Sequence, residues 1–366
     1  MLINTNKFVS LFCIYFLVLG FNQLSAKILY ESNSTIVNSY LAGSAFLEEN
    51  SFNDDIFNSI EASILAREEI LNNFYAKFYA SATYLSNRKN DDSYDILDEL
   101  YLGFDSEYGN LYIGNTPTVY YNGFPAGWLD YKLINSQYDA TDPNAYGSFF
   151  TTKSASNSIF YSYRFSKFKI ALQSSIKDSK EVKLDNQQAI NLDRKYSLGI
   201  GLGYAYGPIQ FGGSYINSKF SDSSEFNDDY ILSVASIGAK LDVFGLYSAI
   251  GIFYDNNRWH IGNESYSFQY LIKYDNYRIF NKRIVPQIAY SYKYYTRIND
   301  FDTSNVVTNN DLYVSLSYFL NSYLEVFVEG KLDMRNSFQV EKINNIIKQD
   351  KYLRYNRIGL GVKAIF

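Results

Sequence analysis

Cysteine, histidine and proline are nearly missing from this sequence. Its one cysteine, Cys13, sits in the first apolar run, so everything after it lacks disulfides, thiol nucleophiles and thiolate metal sites. His260 is the single histidine. It follows Trp259 in a polar stretch near Asp255, with no nucleophile–base pattern and no ligand spacing around it, so neither an enzyme nor a metal site is expected. No phosphate-binding glycine loop or dinucleotide fingerprint occurs, and no cofactor is expected. No Pro/Gly/Ser-rich linker divides the chain. Past residue 26 no long uncharged apolar run remains, which excludes a transmembrane helix. The 33 basic side chains are outnumbered by 38 acidic ones, for a net charge of −5. Such a mild balance argues against a nucleic-acid partner.

What the sequence does have is aromatic residues: 37 Tyr and 28 Phe. Its mean hydropathy is −0.22, too polar for a helical membrane protein. The N-terminus carries Lys7, then an apolar run from Phe8 to Phe21, then Gln23-Leu24-Ser25-Ala26. A positive start, a short apolar core and a small residue before the cut describe a secretory leader. We expect residues 1–26 to be that leader and 27–366 to be one β-domain.

One unit recurs along 27–366: an alternating segment of about ten residues, then a turn or loop. Phe74, Ala76, Phe78, Ala80, Ala82 and Tyr84 form one apolar face. Tyr75, Lys77, Tyr79, Ser81 and Thr83 form the other. Side chains alternate across a strand, so the two sets meet different environments. Leu100, Leu102 and Phe104 oppose Glu99, Tyr101 and Asp105. Leu198, Ile200 and Leu202 oppose Gly199, Gly201 and Gly203. Short links fall at Gly109-Asn110, Gly207-Pro208, Phe244-Gly245 and Asn321-Ser322. Longer polar links lie near 86–94, 116–156, 176–194, 218–228, 255–264, 296–310 and 334–350. The fold class expected is all-β: a transmembrane antiparallel β-barrel of about sixteen strands. A soluble sandwich also alternates, but its interior would not carry Lys77, Lys169 and Glu329. A closed barrel is the one sheet that lipid tolerates, because it has no open edge.

Three stretches carry a resemblance. Asn356-Arg357-Ile358-Gly359-Leu360-Gly361-Val362-Lys363-Ala364-Ile365-Phe366 resembles the closing strand of Gram-negative trimeric porins, with Ala364 where that family has His. Leu100-Tyr101-Leu102-Gly103-Phe104 and Gly109-Asn110-Leu111-Tyr112-Ile113-Gly114 resemble a porin hairpin. Asn157-Ser158-Ile159-Phe160-Tyr161-Ser162-Tyr163 resembles a further porin strand. Asn115 and Phe160 stand where the family has arginines. The likeness implies an outer-membrane homotrimer in a Gram-negative cell, with Phe366 read by the barrel-assembly machinery. It also implies that 116–156 is a long constriction loop folded into the lumen.

A pore of that kind passes ions and small polar solutes by passive diffusion, biased by charges at its narrow part. The candidate lining comprises Arg67, Lys77, Glu99, Asn115, Arg164, Lys169, Lys240, Glu325 and Glu329, with the loop acids Asp130, Asp139 and Asp142. Each could equally be a solvated charge away from the waist. Tyr75, Tyr79, Tyr101, Tyr112 and Tyr313 fall on the inward face. They suggest an alternative, a sugar- or nutrient-selective channel with an aromatic track, unless a Tyr-rich chain simply puts Tyr everywhere. Tyr120, Tyr121, Phe124 and Trp128 of the loop either line the constriction or pack against the wall. A third reading is a structural or adhesive barrel whose lumen the loop fills.

Overall fold

The computed structural model describes residues 30–31, 35–49, 54–87, 92–129, 154–183, 189–222, 229–257, 263–279, 281–299, 303–322, 324–334, 338–343, 346–351 and 356–365. The expected leader (residues 1–26), His260, the loop acids Asp130, Asp139 and Asp142, and Phe366 lie outside the described residues.

Among the described residues, sixteen strands form a closed antiparallel ring. They are β1 (Thr35–Glu49), β2 (Asp54–Leu71), β3 (Phe74–Asn87), β4 (Asp92–Ser106), β5 (Gly109–Pro117), β6 (Ser154–Phe165), β7 (Phe168–Ser175) and β8 (Ala189–Tyr206). The second half is β9 (Ile209–Asp222), β10 (Asp229–Val243), β11 (Leu246–Asn257), β12 (Asn263–Tyr274), β13 (Lys282–Asn299), β14 (Thr303–Phe319), β15 (Leu324–Asp333) and β16 (Asn356–Ile365). Every strand pairs with its sequence neighbour, and β16 returns to β1 through register pairs such as Gly361 with Ser44. That last ladder removes the edge, so a sheet exposed to lipid leaves no row of unpaired backbone groups.

The alternation decides which face is which. Leu102, Ile113, Leu198, Leu202, Ile237 and Ile252 all point outward and are exposed. Aromatic rings gather at the short-turn end of that face: Phe74 stacks on Phe104 at 5.2 Å, and Phe168 lies 5.5 Å from Phe165 and 4.9 Å from Tyr204. An aliphatic band bordered by rings matches a bilayer with its interface.

The described strands run past the alternating segments. A tilted strand crosses the hydrocarbon in about 9–11 residues, yet β2, β8 and β13 each have 18. The surplus lies at the long-loop end. β14 begins at Thr303, inside the stretch expected as the loop 296–310, and pairs with β13 out to Thr303–Asn299. Asp178–Lys183 continues β7 against β8 through the expected loop 176–194. Two further strands, Phe338–Ile343 and Ile346–Lys351, form a hairpin outside the ring, where the loop 334–350 was expected. Outside the bilayer both faces of a ribbon are wet, so pairing persists without alternation and the sequence shows only polarity. One link also shifts: the turn after β4 is Glu107–Tyr108, and Gly109 already belongs to β5.

Candidate functional site

The long loop turns inward at a distorted junction. The β5–β6 register shifts between Gly114 and Thr116, Gly114 has φ of +131° and Asn157 opposite has φ of 46°. Two residues in left-handed backbone within one strand pair kink the ladder and release the chain from the wall. Thr116 and Ser158 close the kink with a 2.7 Å hydroxyl pair. Past it, Val119, Tyr120, Phe124, Trp128 and Leu129 are all buried, and Pro125–Trp128 make one helical turn, α1.

These side chains sit in a trough that the barrel wall provides by omitting its own. A Cβ on Gly199 of β8 would stand 2.6 Å from Val119. On Gly201 it would stand 2.6 Å from the Phe124 ring, on Gly212 of β9 2.7 Å from Trp128, and on Gly251 of β11 2.6 Å from Leu129. The loop therefore crosses the inner face of β8, β9, β10 and β11 in van der Waals contact. Polar links fix it there. The Val119 N–H donates to Gln173 Oε1 at 3.0 Å, Tyr247 O–H to the Trp128 carbonyl at 2.7 Å and Lys169 Nζ to the Asn122 carbonyl at 2.9 Å. Lys169 also lies 4.8 Å from the Phe124 ring, and Lys240 lies 5.6 Å from Trp128.

The wall of β3–β6 is filled by its own rings. Tyr79, Tyr101, Tyr112 and Phe160 stack across four successive strands with centroid spacings of 5.3, 4.8 and 5.8 Å. Charges cover the short-turn end of this stack. Tyr112 O–H donates to Asp105 at 2.7 Å and accepts from Lys77 Nζ at 3.2 Å. Asp105 lies 3.9 Å from Arg67, whose guanidinium covers Tyr75 at 3.8 Å.

Arg67, Lys77, Glu99, Arg164, Lys169, Lys240, Glu325 and Glu329 all occupy inward positions, as the alternation predicts. They are not one cluster. Arg164 stands directly across from Lys169. Glu325 and Glu329 are on the far side, where Glu325 faces Lys363. Asn115 is a correction: it pairs with Leu100, and directly opposed residues share a face, so it joins the outer surface. The tyrosines are a second correction. All five point inward, but Tyr101, Tyr112 and Tyr313 are buried, Tyr75 is covered by Arg67 and Tyr313 lies 5.8 Å from Lys331. Rings that cover one another leave no continuous open face for a sugar.

Several residues escaped the sequence reading. Asp105 falls on the inward face by alternation, but nothing in the sequence marks its contacts with Tyr112 and Arg67. Gln173, Lys331 with Asp311 at 3.3 Å, and Arg194 were also passed over. Arg194 is fully buried and its Nη2 donates to the carbonyls of Ser156 at 2.6 Å and Ile176 at 3.2 Å, which anchors the returning end of the loop. It stood in an expected loop, where an arginine gives no signal. The glycines did carry one: Gly at three consecutive inward positions, 199, 201 and 203.

A model of the Gram-negative porin family matches residues 36–337. Among solved structures, the chain is similar to OmpF of Salmonella typhi in complex with daunomycin, with TM-score 0.69 and 13% identity over 92% of this chain and 99% of that one. It is also similar to the outer-membrane channel DcaP of Acinetobacter baumannii, with TM-score 0.61 and 12% identity over 92% and 99% of the two chains. The trimer form of in-vitro folded OmpT of Vibrio cholerae gives TM-score 0.55 and 13% identity over 91% and 100%. These identities speak to the fold alone. No curated protein matches the sequence.

Proposed function

The chain belongs to the Gram-negative porin family, and from that premise we propose that it is a general-diffusion pore narrowed by the loop segment 118–129. It is an outer-membrane channel through which small solutes pass passively. The observation that carries the narrowing is the seat of the loop. Residues 119–129 lie flat against β8–β11, so they reduce the cross-section from one side, and the opposite wall faces what remains.

In this reading Arg67, Lys77, Arg164, Lys169 and Lys240 supply positive potential on the β2–β10 side. Glu99, Glu325 and Glu329 supply negative potential, joined by Asp130, Asp139 and Asp142 of the loop. Charges in a narrow, low-dielectric tube orient solutes and bias ion sign. Tyr75, Tyr79, Tyr101, Tyr112 and Tyr313 serve as packing and as supports for these cations rather than as a sugar track. The pore carries out no catalysis. It reaches the membrane after removal of residues 1–26, inserts through the barrel-assembly machinery with Phe366 as the signal, and works as a homotrimer. The recorded trimer form of the similar OmpT supports that last point.

Planar-bilayer recording of the refolded protein tests this. Ohmic steps in groups of three are expected in potassium chloride. Membranes that stay silent with correctly folded protein would refute the open pore, and single ungrouped steps would refute the trimer.

A further inference from the structure

Beneath the first turn of the loop lies a recess of about 380 Å³. It is bounded by the short-turn ends of β3–β7 on one side and by Asn122 on the other. We propose that this recess is a saturable subsite for small organic oxyanions, meaning carboxylates or phosphates of metabolite size. The proposal rests on the pore reading, since such a ligand arrives through the lumen.

Three cations line it: Lys77, Arg164 and Lys169. Arg164 and Lys169 face each other across the β6–β7 hairpin, and the strand order of the barrel brings Lys77 of β3, distant in sequence, to the same recess. Among the described residues none of the three is in an ion pair. The one carboxylate in the lining is Glu107, an exposed turn residue at the rim. The lining therefore holds three cations against one rim carboxylate, with Asp105 set behind the Tyr112 hydroxyl from Lys77, a net positive charge in a partly enclosed space where screening by water and salt is reduced.

The cations are also held in place. Lys77 Nζ is fixed by the Tyr112 hydroxyl and lies 4.7 Å from that ring. Lys169 Nζ is fixed by the Asn122 carbonyl. Each spends one donor on the wall or the loop and keeps two for a ligand. Arg164 is left exposed, and its planar fork suits a carboxylate or phosphate. Ser162 adds a hydroxyl to the lining. Positioned donors lose little entropy on binding, which is what separates a subsite from a diffuse positive wall. The volume lies within the roughly 300–1,000 Å³ range of small-molecule sites and exceeds what a bare chloride needs.

The test is block of the potassium chloride current by succinate and by inorganic phosphate, added from the short-turn side. Saturable, concentration-dependent block is expected, with dimethyl succinate inert. Lys77→Gln and Arg164→Gln should each weaken the block about tenfold, the scale of one charge-assisted contact. Lys363→Gln removes the same unit of charge from β16, three strands from β3 round the ring and outside the recess, where Lys363 lies over Phe327, and should leave the block in place. Block that never saturates, block by dimethyl succinate, or equal weakening by Lys363→Gln would overturn the subsite in favour of a general field. The chloride steps themselves report that each variant is folded and open. A wild-type protein with no steps at all would sink the pore reading instead.

Discussion

The two sides of this lumen solve the same problem in opposite ways. On β3–β6 the inward positions hold large rings, and Tyr79, Tyr101, Tyr112 and Phe160 fill the space by stacking on one another. On β8–β11 several inward positions are glycine, and the volume is filled by Val119, Phe124, Trp128 and Leu129 from a different part of the chain. Both walls end up close-packed. The difference is where the volume comes from. A wall that carries its own rings has no room for a loop, and a wall stripped to glycine has an inner surface only if a loop arrives. The loop therefore has one side on which to lie, and the pore is asymmetric because its glycines are.

The largest expected effect is on the ringed wall. Phe160 is fully buried at the end of the stack, and no neighbouring segment can move in to replace it. Phe160→Ala should cost about 3–5 kcal/mol of barrel stability, measured by urea unfolding in detergent or lipid. A cost near zero would mean that the stack is not close-packed, and the contrast between the walls would lose one of its sides.

On the glycine wall the prediction is sharper though smaller, because two glycines of one strand and one face must differ. A methyl on Gly201 would meet the Phe124 ring at 2.6 Å, whereas on Gly203 its nearest neighbour is 3.5 Å away, an ordinary contact. Gly201→Ala should cost about 1–3 kcal/mol through overpacking and should raise single-channel conductance as Phe124 lifts from its seat. Gly203→Ala should lie within about 0.5 kcal/mol of the wild type with unchanged steps. Equal behaviour of the pair would mean that the loop does not rest where these contacts put it.

The same contrast explains what the sequence made legible. Inside the bilayer one face meets lipid and the other meets water, so Leu198, Ile200 and Leu202 alternate with Gly199, Gly201 and Gly203 and the strands can be read off. Beyond it that constraint ends, and the polar stretch around Thr303–Asn310 reads as loop although it is paired strand. Orientation at the site was legible for the same reason: the inward places of Lys77, Arg164 and Lys169 follow from parity alone. Asn115 entered through the family's arginine position, whereas the parity of its own strand, with Leu111 and Ile113 outward, puts it on the outer face. Partnership was not legible. Asp105 meets Tyr112 across a hairpin, and Lys169 meets Asn122 at a separation of 47 residues. No local pattern encodes such meetings. The tyrosine track failed on burial, since periodicity says which way a ring points and nothing about what covers it.

The smallest effect separates the two roles of Tyr112, ring and hydroxyl. Tyr112→Phe keeps the stack between Tyr101 and Phe160 and removes only the oxygen that donates to Asp105 and accepts from Lys77. The expected cost is about 1 kcal/mol, since Asp105 retains Arg67 nearby and Lys77 can turn toward lumen water. The change should be plainer in the current than in the unfolding curve. Without its tether Lys77 gains rotamer freedom, so open-channel noise should rise while mean conductance changes little. If noise is unchanged and stability falls by as much as in Phe160→Ala, the hydroxyl is a core hydrogen bond of the wall. The ringed side would then be held by its polar ends as much as by its stacked faces.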